Sequence, residues 1–258
     1  MKVCVLASGS KGNSILVSGN ETNILIDAGL SCKQILDTLN QIGVNESSIK
    51  ALFITHEHYD HIKGAGPVVR KLEIPLFINQ LTFQAKNYNL GRIEDVRLFD
   101  NGKPFTFNEF LIEPFSVPHD CVDNTCFKIS ERDSIGKLII LTDLGYPTKL
   151  VKEKLKNPSS IILESNHDFN KLINGPYEWW LKQRIKSKNG HLSNSQACEL
   201  INEIIHPGLK NIILAHLSEE NNEPEIAEAE MVKILKERES DCNLYIANQN
   251  HPTNWIEV

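Results

Sequence analysis

Apolar and polar positions along this chain fall into short runs rather than long stripes. Residues 2–7, 14–17 and 22–26 are apolar segments of strand length separated by Gly, Ser and Asn, and they predict an antiparallel opening of three strands. Ala51-Leu52-Phe53-Ile54 is continuously apolar, the pattern of a strand buried on both faces. Further strands are predicted at 76–78, 96–99, 106–107, 110–117, 125–129, 137–142, 160–164 and 211–215. Helical spacing occupies 31–42, where Ser31 stands as N-cap and Gly43 ends the pattern. It resumes from about 62 to 72, interrupted by Gly66-Pro67, and again at 80–89, 147–155, 177–186, 193–205 and 224–237. These elements predict one α+β domain over residues 1–258.

The densest chemistry lies directly after the run ending at Ile54. Thr55-His56-Glu57-His58-Tyr59-Asp60-His61 places three histidines and Asp60 within six residues, where a buried strand gives way to a loop. On an extended segment His56 and His58 point the same way, and a turn after Tyr59 sends Asp60 and His61 elsewhere, an arrangement that suits two adjacent metals better than one. Imidazole and carboxylate donors fit zinc, manganese or iron, and the stretch holds no thiolate to select a softer ion.

His56-x-His58-x-Asp60-His61 resembles the signature of the metallo-β-lactamase-fold hydrolases. That resemblance implies a four-layer αββα sandwich with two divalent metal ions at one edge, zinc or manganese with iron as an option. It further implies a lone His, an Asp and a final His downstream, each after an apolar strand. His119, Asp143 and His216 stand in those places. By resemblance His56, His58 and His119 hold one metal, Asp60, His61 and His216 the other, and Asp143 bridges them. The loop Ser8-Gly9-Ser10-Lys11-Gly12-Asn13-Ser14, with Ile26-Asp27-Ala28-Gly29 after it, is similar to the YycJ/WalJ-type bacterial subgroup. In that subgroup Asp27 is implied to be a structural partner of the metal loop, and the implied activity is a 5′ to 3′ DNA exonuclease. Only 72 residues separate Asp143 from His216, too few for the inserted domain of the β-CASP nucleases.

Composition narrows the partners. At 41% hydrophobic and 23% charged residues the chain can build an ordinary core. Six cysteines without a Cys-x-x-Cys pair are neither a disulfide framework nor a zinc knuckle, and most are expected to be buried reduced thiols. The apolar run from Val3 to Ala7 is too short for a signal segment or a membrane span, so a cytoplasmic chain without membrane contact is expected. A net charge of −6 requires any DNA contact to use a local patch.

Such a patch is offered by Trp179-Trp180-Leu181-Lys182-Gln183-Arg184-Ile185-Lys186-Ser187-Lys188, two indoles beside the cations Lys182, Arg184, Lys186 and Lys188. A solvated helix over a buried Trp pair is the plainer alternative. His191, in Gly190-His191-Leu192-Ser193, is the candidate proton donor to a leaving oxygen, with a local capping role as its alternative. Asp60 and His191 are thus the catalytic candidates. Ser8 and Asn13 in the first loop, and Asn166 in Glu164-Ser165-Asn166-His167-Asp168, are candidate substrate contacts. The first loop reads equally as a tight connection. The second cluster reads as substrate contact, as support for a metal-bound His, or as a helix start. DNA is the expected partner. A small, for example cyclic, phosphodiester or a thioester uses the same ligands, and a redox or binding module is the reading from another class.

Overall fold

In the computed structural model, which describes residues 1–85, 88–132 and 134–258, two mixed sheets pack face to face. The chain first lays down β1 (Lys2–Ala7), β2 (Ser14–Ser18), β3 (Asn23–Ile26), β4 (Ile49–Ile54), β5 (Leu76–Asn79) and β6 (Val96–Phe99). It then builds the second sheet from β7 (Phe105–Phe107), β8 (Phe110–Val117), β9 (Asn124–Glu131), β10 (Lys137–Leu141), β11 (Ser160–Glu164), β12 (Asn211–Ala215) and β13 (Asn243–Ile246). Finally β14 (Ile256–Glu257) returns to pair antiparallel with β1. The opening strands are antiparallel as expected, while β3 to β6 and β10 to β13 run parallel within their sheets.

β4, β5, β10, β11 and β12 are buried almost throughout, which is why their sequences are apolar runs, whereas the edge strands β6 and β13 are largely exposed or half-buried. Ile24 and Ile26 face the core between the sheets, whereas Leu25 faces outward onto helices. In the second sheet Ile162 faces inward and Ile161 and Leu163 outward. The outer layers are α1 (Cys32–Gln41), α2 (Tyr59–Ile62), α3 (Ala65–Leu72) and α4 (Gln80–Gln84) with the first half of the chain, and α5 (Lys149–Lys154), α6 (Phe169–Asn174), α7 (Trp179–Ile185), α8 (Asn194–Ile204) and α9 (Pro224–Glu237) with the second. Helix, sheet, sheet, helix is the αββα order expected.

Local chemistry explains most boundaries. Ser31 and Ser193 each close a capping box, with Gln34 and Gln196 reaching back to the cap backbone. Gly66-Pro67 falls in the first turn of α3, where a missing N–H costs nothing, so the interruption is a helix start. The helix expected over 80–89 stops at Gln84, and Lys86 and Asn87 lie outside the described residues. Two short strands, β13 and β14, carry no apolar run and went unpredicted.

Candidate metal centre

Strand ends carry the centre. β4 runs out at Ile54, His56 follows, His58 caps α2 in extended backbone, and α2 begins at Tyr59, turning Asp60 and His61 to a second side. His119 follows β8, Asp143 follows β10 and His216 follows β12, so both sheets deliver donors to one edge. Asp27, Asp143 and His216 adopt left-handed backbone, with φ of 63°, 57° and 57°. These are three of the seven non-glycine residues with positive φ among the described residues. Strain of this kind persists where surrounding structure overdetermines it.

The donor atoms fall into four sets whose members lie within 4.8 Å of one another: His56, His58 and His119; Asp60, His61 and His216; His56, His61 and Asp143; and Asp143, Glu164, His191 and His216, in the last of which Glu164 is engaged by the Nδ1 atoms of both rings. His58 Nδ1 is 3.2 Å from His119 Nε2. Asp60 Oδ2 is 3.4 Å from His61 Nε2 and 3.5 Å from His216 Nε2. Asp143 spans the sets, 3.2 Å from His61 Nε2, 3.6 Å from His216 Nε2 and 3.8 Å from His119 Nε2. Donors about 2.1 Å from a tetrahedral ion are about 3.4 Å apart, so these spacings fit metal coordination. His56 Nε2, His216 Nε2 and Asp143 Oδ2 are moreover buried without a hydrogen-bond partner, a costly state that a cation relieves.

Four of the five rings are held by the nitrogen that faces away. Thr55 Oγ1 lies 3.0 Å from His56 Nδ1 and donates its own proton to Asp27 Oδ2. Asp27 Oδ2 also accepts from His61 Nδ1 at 2.7 Å, the structural role expected of it. Gly190 O accepts from His119 Nδ1 at 3.1 Å, and Glu164 Oε1 from His216 Nδ1 at 2.9 Å. Such outer partners fix both tautomer and ring orientation. His58 is the exception, presenting Nδ1 inward.

Electrostatics point the same way. Burial opposes the charge of Asp143, but His216, His61 and His56 outweigh it and hold the carboxyl well below its ordinary range. His61 and His216, also penalised by burial, are pushed well above theirs by Asp143 and its neighbouring carboxylates. A site of buried carboxylates and imidazoles is built for positive charge.

Residues 7–179 match the family model of the metallo-beta-lactamase superfamily. The chain belongs to this superfamily. Over 265 residues it is 38% identical to exodeoxyribonuclease WalJ of Streptococcus pneumoniae serotype 2 (strain D39 / NCTC 7466), covering 100% of this chain and 98% of the relative. Exodeoxyribonuclease YycJ of Bacillus anthracis is 36% identical over 236 residues, 91% of this chain and 89% of the relative. Among solved structures, the metallo-beta-lactamase fold protein YhfI from Bacillus subtilis superposes with a TM-score of 0.73 at 18% identity, with 98% of each chain covered. The fold and the subgroup expected from the motifs are therefore those observed.

A cavity of about 270 Å³ opens onto this metallo-β-lactamase centre, lined in part by Asp60, Asp143, His191 and His216, by Asn166, and by Arg184 of α7. His191 lies beside the donor sets, edge-on to the His119 ring at 5.0 Å and tilted against that of His216 at 5.2 Å, and donates through Nδ1 to Glu164 Oε1 at 2.6 Å. Burial alone would lower His191, but the Glu164 carboxylate raises it above its ordinary value. Glu164, fully buried, also accepts from the backbone of Leu144 and Leu192 and is held down to about 2, against burial, by His191 and His216. Of the readings open for its cluster, support of a metal-facing His is the one Glu164 takes. Asn166 lines the cavity while its amide donates to His216 O at 3.0 Å.

Three expected substrate contacts are corrected. Ser8 is buried with its hydroxyl accepting from His216 N, and Asn13 is buried with its amide on Gly9 O and Asp60 Oδ2, so both brace the centre. Lys182 is buried too, its ammonium spent on Ile173 O and Gly175 O at 2.8 and 2.7 Å. Lys186 and Lys188 are exposed. Arg184 reaches Asp120, whose other oxygen lies 3.4 Å from His119 Nε2. Asp120 went unnoticed in the sequence, although its place directly after His119 was a signal.

Proposed function

We propose that this chain is a metal-dependent phosphodiesterase that removes nucleotides from a DNA end, in the 5′ to 3′ direction, using two divalent ions. In this reading His56, His58 and His119 would hold one ion and Asp60, His61 and His216 the other, with Asp143, which lies within 3.8 Å of donors from each set, available to both. Their all-nitrogen and oxygen donor set suits zinc or manganese, and iron is accommodated by the same donors. Such ions, when bound, acidify water and neutralise phosphoryl oxygens. What this chain's own side chains add is proton transfer and placement. His191 Nδ1 is occupied by Glu164, which leaves Nε2 to protonate the departing oxygen, and the Glu164 carboxylate favours the protonated form of this ring. Arg184 and Asn166, on the cavity wall, orient the phosphate.

The observation that carries the reading is two donor sets meeting at Asp143 in an open cavity with a non-ligand histidine beside them. DNA as substrate draws its support from relatives of full-length similarity that are named exodeoxyribonucleases. A small phosphodiester is the second reading, favoured by a cavity on the order of one nucleotide in size. The deciding assay supplies manganese or zinc with 5′-labelled duplex DNA, single-stranded DNA or a bis-aryl phosphodiester. Release of labelled mononucleotides supports the first reading. Hydrolysis of the aryl diester without any attack on DNA supports the second and overturns the first. The cytoplasmic location expected from the sequence belongs to the same proposal, and among the described residues no helix is long and apolar enough to cross a membrane.

A further inference from the structure

Trp179 and Trp180 are 61% and 66% exposed, an unusual state for the largest apolar side chain, and they sit together at the start of α7. The helix is anchored through Lys182, which is buried and caps the carbonyls of Ile173 and Gly175. Leu181, Arg184 and Ile185 from the same helix line the metal cavity. Trp180 precedes Arg184 by four residues, which makes the two neighbours on the helix surface, so the indoles begin where the cavity wall ends. Cations accompany the rings. Lys186 Nζ lies 5.3 Å from the Trp179 ring, and Lys188 Nζ lies 5.6 Å from that of Tyr146, itself half exposed.

Exposed aromatic faces interleaved with Lys and Arg match a polymer with a π-face on every unit and a negative charge between units, namely an unpaired nucleic acid strand. The cavity itself, about 270 Å³, is small beside the width of a duplex. We propose that Trp179 and Trp180 form a stacking shelf for unpaired bases at the DNA end, holding one strand apart from its complement as its terminal phosphate enters the centre. This rests on the nuclease reading above. Arg184, Lys186 and Lys188 then follow the backbone of the stacked strand while the indoles hold its bases.

The test compares the metal-loaded wild type with Trp179→Ala/Trp180→Ala and Trp179→Phe/Trp180→Phe. Substrates are a single-stranded oligonucleotide, a blunt duplex, a duplex with a short unpaired 5′ tail, and a bis-aryl phosphodiester. The Ala pair should raise KM for every DNA by about 5-fold or more, the scale of one lost base stack, and most for the blunt end, which must be opened. Turnover of the aryl diester should stay as in wild type, and the Phe pair should recover most of the DNA affinity. Oligonucleotide should also quench wild-type tryptophan emission and leave that of the Ala pair unchanged. Unaltered KM in the Ala pair, with wild type cutting DNA, overturns the shelf and leaves the nuclease reading intact. Loss of aryl diester turnover makes the indoles structural and also overturns it, as does conversion of an oligomer to a monomer in the Ala pair by light scattering. No DNA binding or cleavage by wild type removes the nuclease reading and the shelf together.

Discussion

Histidines in the centre are pulled in two directions. Burial lowers His56 and His119, which stay below their ordinary value, and opposes the charge of His61 and His216 too, but these two face carboxylates that lift them well above it. A metal takes neutral imidazole, so binding must expel protons from His61 and His216. Affinity should therefore fall as pH drops below those raised values, and calorimetry in two buffers of different ionisation enthalpy should show net proton release. Asp143→Asn tolerates the left-handed backbone but removes the shared charge. It should stay folded by circular dichroism and lose bound metal by elemental analysis, and two ions with full activity would refute the ligand assignment. His191→Ala should keep its metals and turn over about 10² to 10⁴ times more slowly. That deficit should shrink for a diester with a very good leaving group. Glu164→Gln removes the charge that raises His191. An acid must be protonated to act, so the alkaline limb of the rate profile should move to lower pH in this variant.

At the scale of elements, the metal loop is held by backbone packing around Gly29. Asn13 N donates to Asp60 O at 2.7 Å, Ala28 N to His61 O at 2.8 Å and Gly29 N to Asn13 O at 2.9 Å. A Cβ on Gly29 would stand 1.6 Å from Asp60 O. Gly29→Ala should accordingly cost the upper end of the ~1–3 kcal/mol typical of overpacking, seen as a lower denaturation midpoint, and should weaken metal binding as α2 shifts. Most strands and the donor-bearing loops were legible because apolar runs and His spacing are local properties. What escaped depends on distant packing. Glu164 serves His216 across 52 residues, Arg184 meets Asp120 across 64, and the burial of Lys182 follows from where α6 ends. A four-residue strand such as β13, with the mixed sequence Asn243-Leu244-Tyr245-Ile246, gains its identity from pairing beside β12 rather than from its own pattern.

For the whole molecule, a formal charge of −6 leaves DNA affinity to a local strip, now Arg184, Lys186 and Lys188 without Lys182. Phosphate contacts release counterions, so affinity should fall steeply with salt, and replacing these three by Ala should reduce the slope by about one unit for each phosphate left without its cation. An unchanged slope would move the strip elsewhere on the surface. The centre also has a mechanical meaning. His56, His58, Asp60 and His61 hang from the first sheet, and His119, Asp143 and His216 from the second. Metal held between them would act as a further clasp at this rim, beside the hydrogen bonds from His216 N to Ser8 Oγ and from Thr125 N to Thr55 O that already cross it. Chelation should open that rim, and limited proteolysis with and without EDTA should find new cleavage beside Asp143 and a shortened lifetime. The abundance of this protein in a cell would then track the supply of its metal.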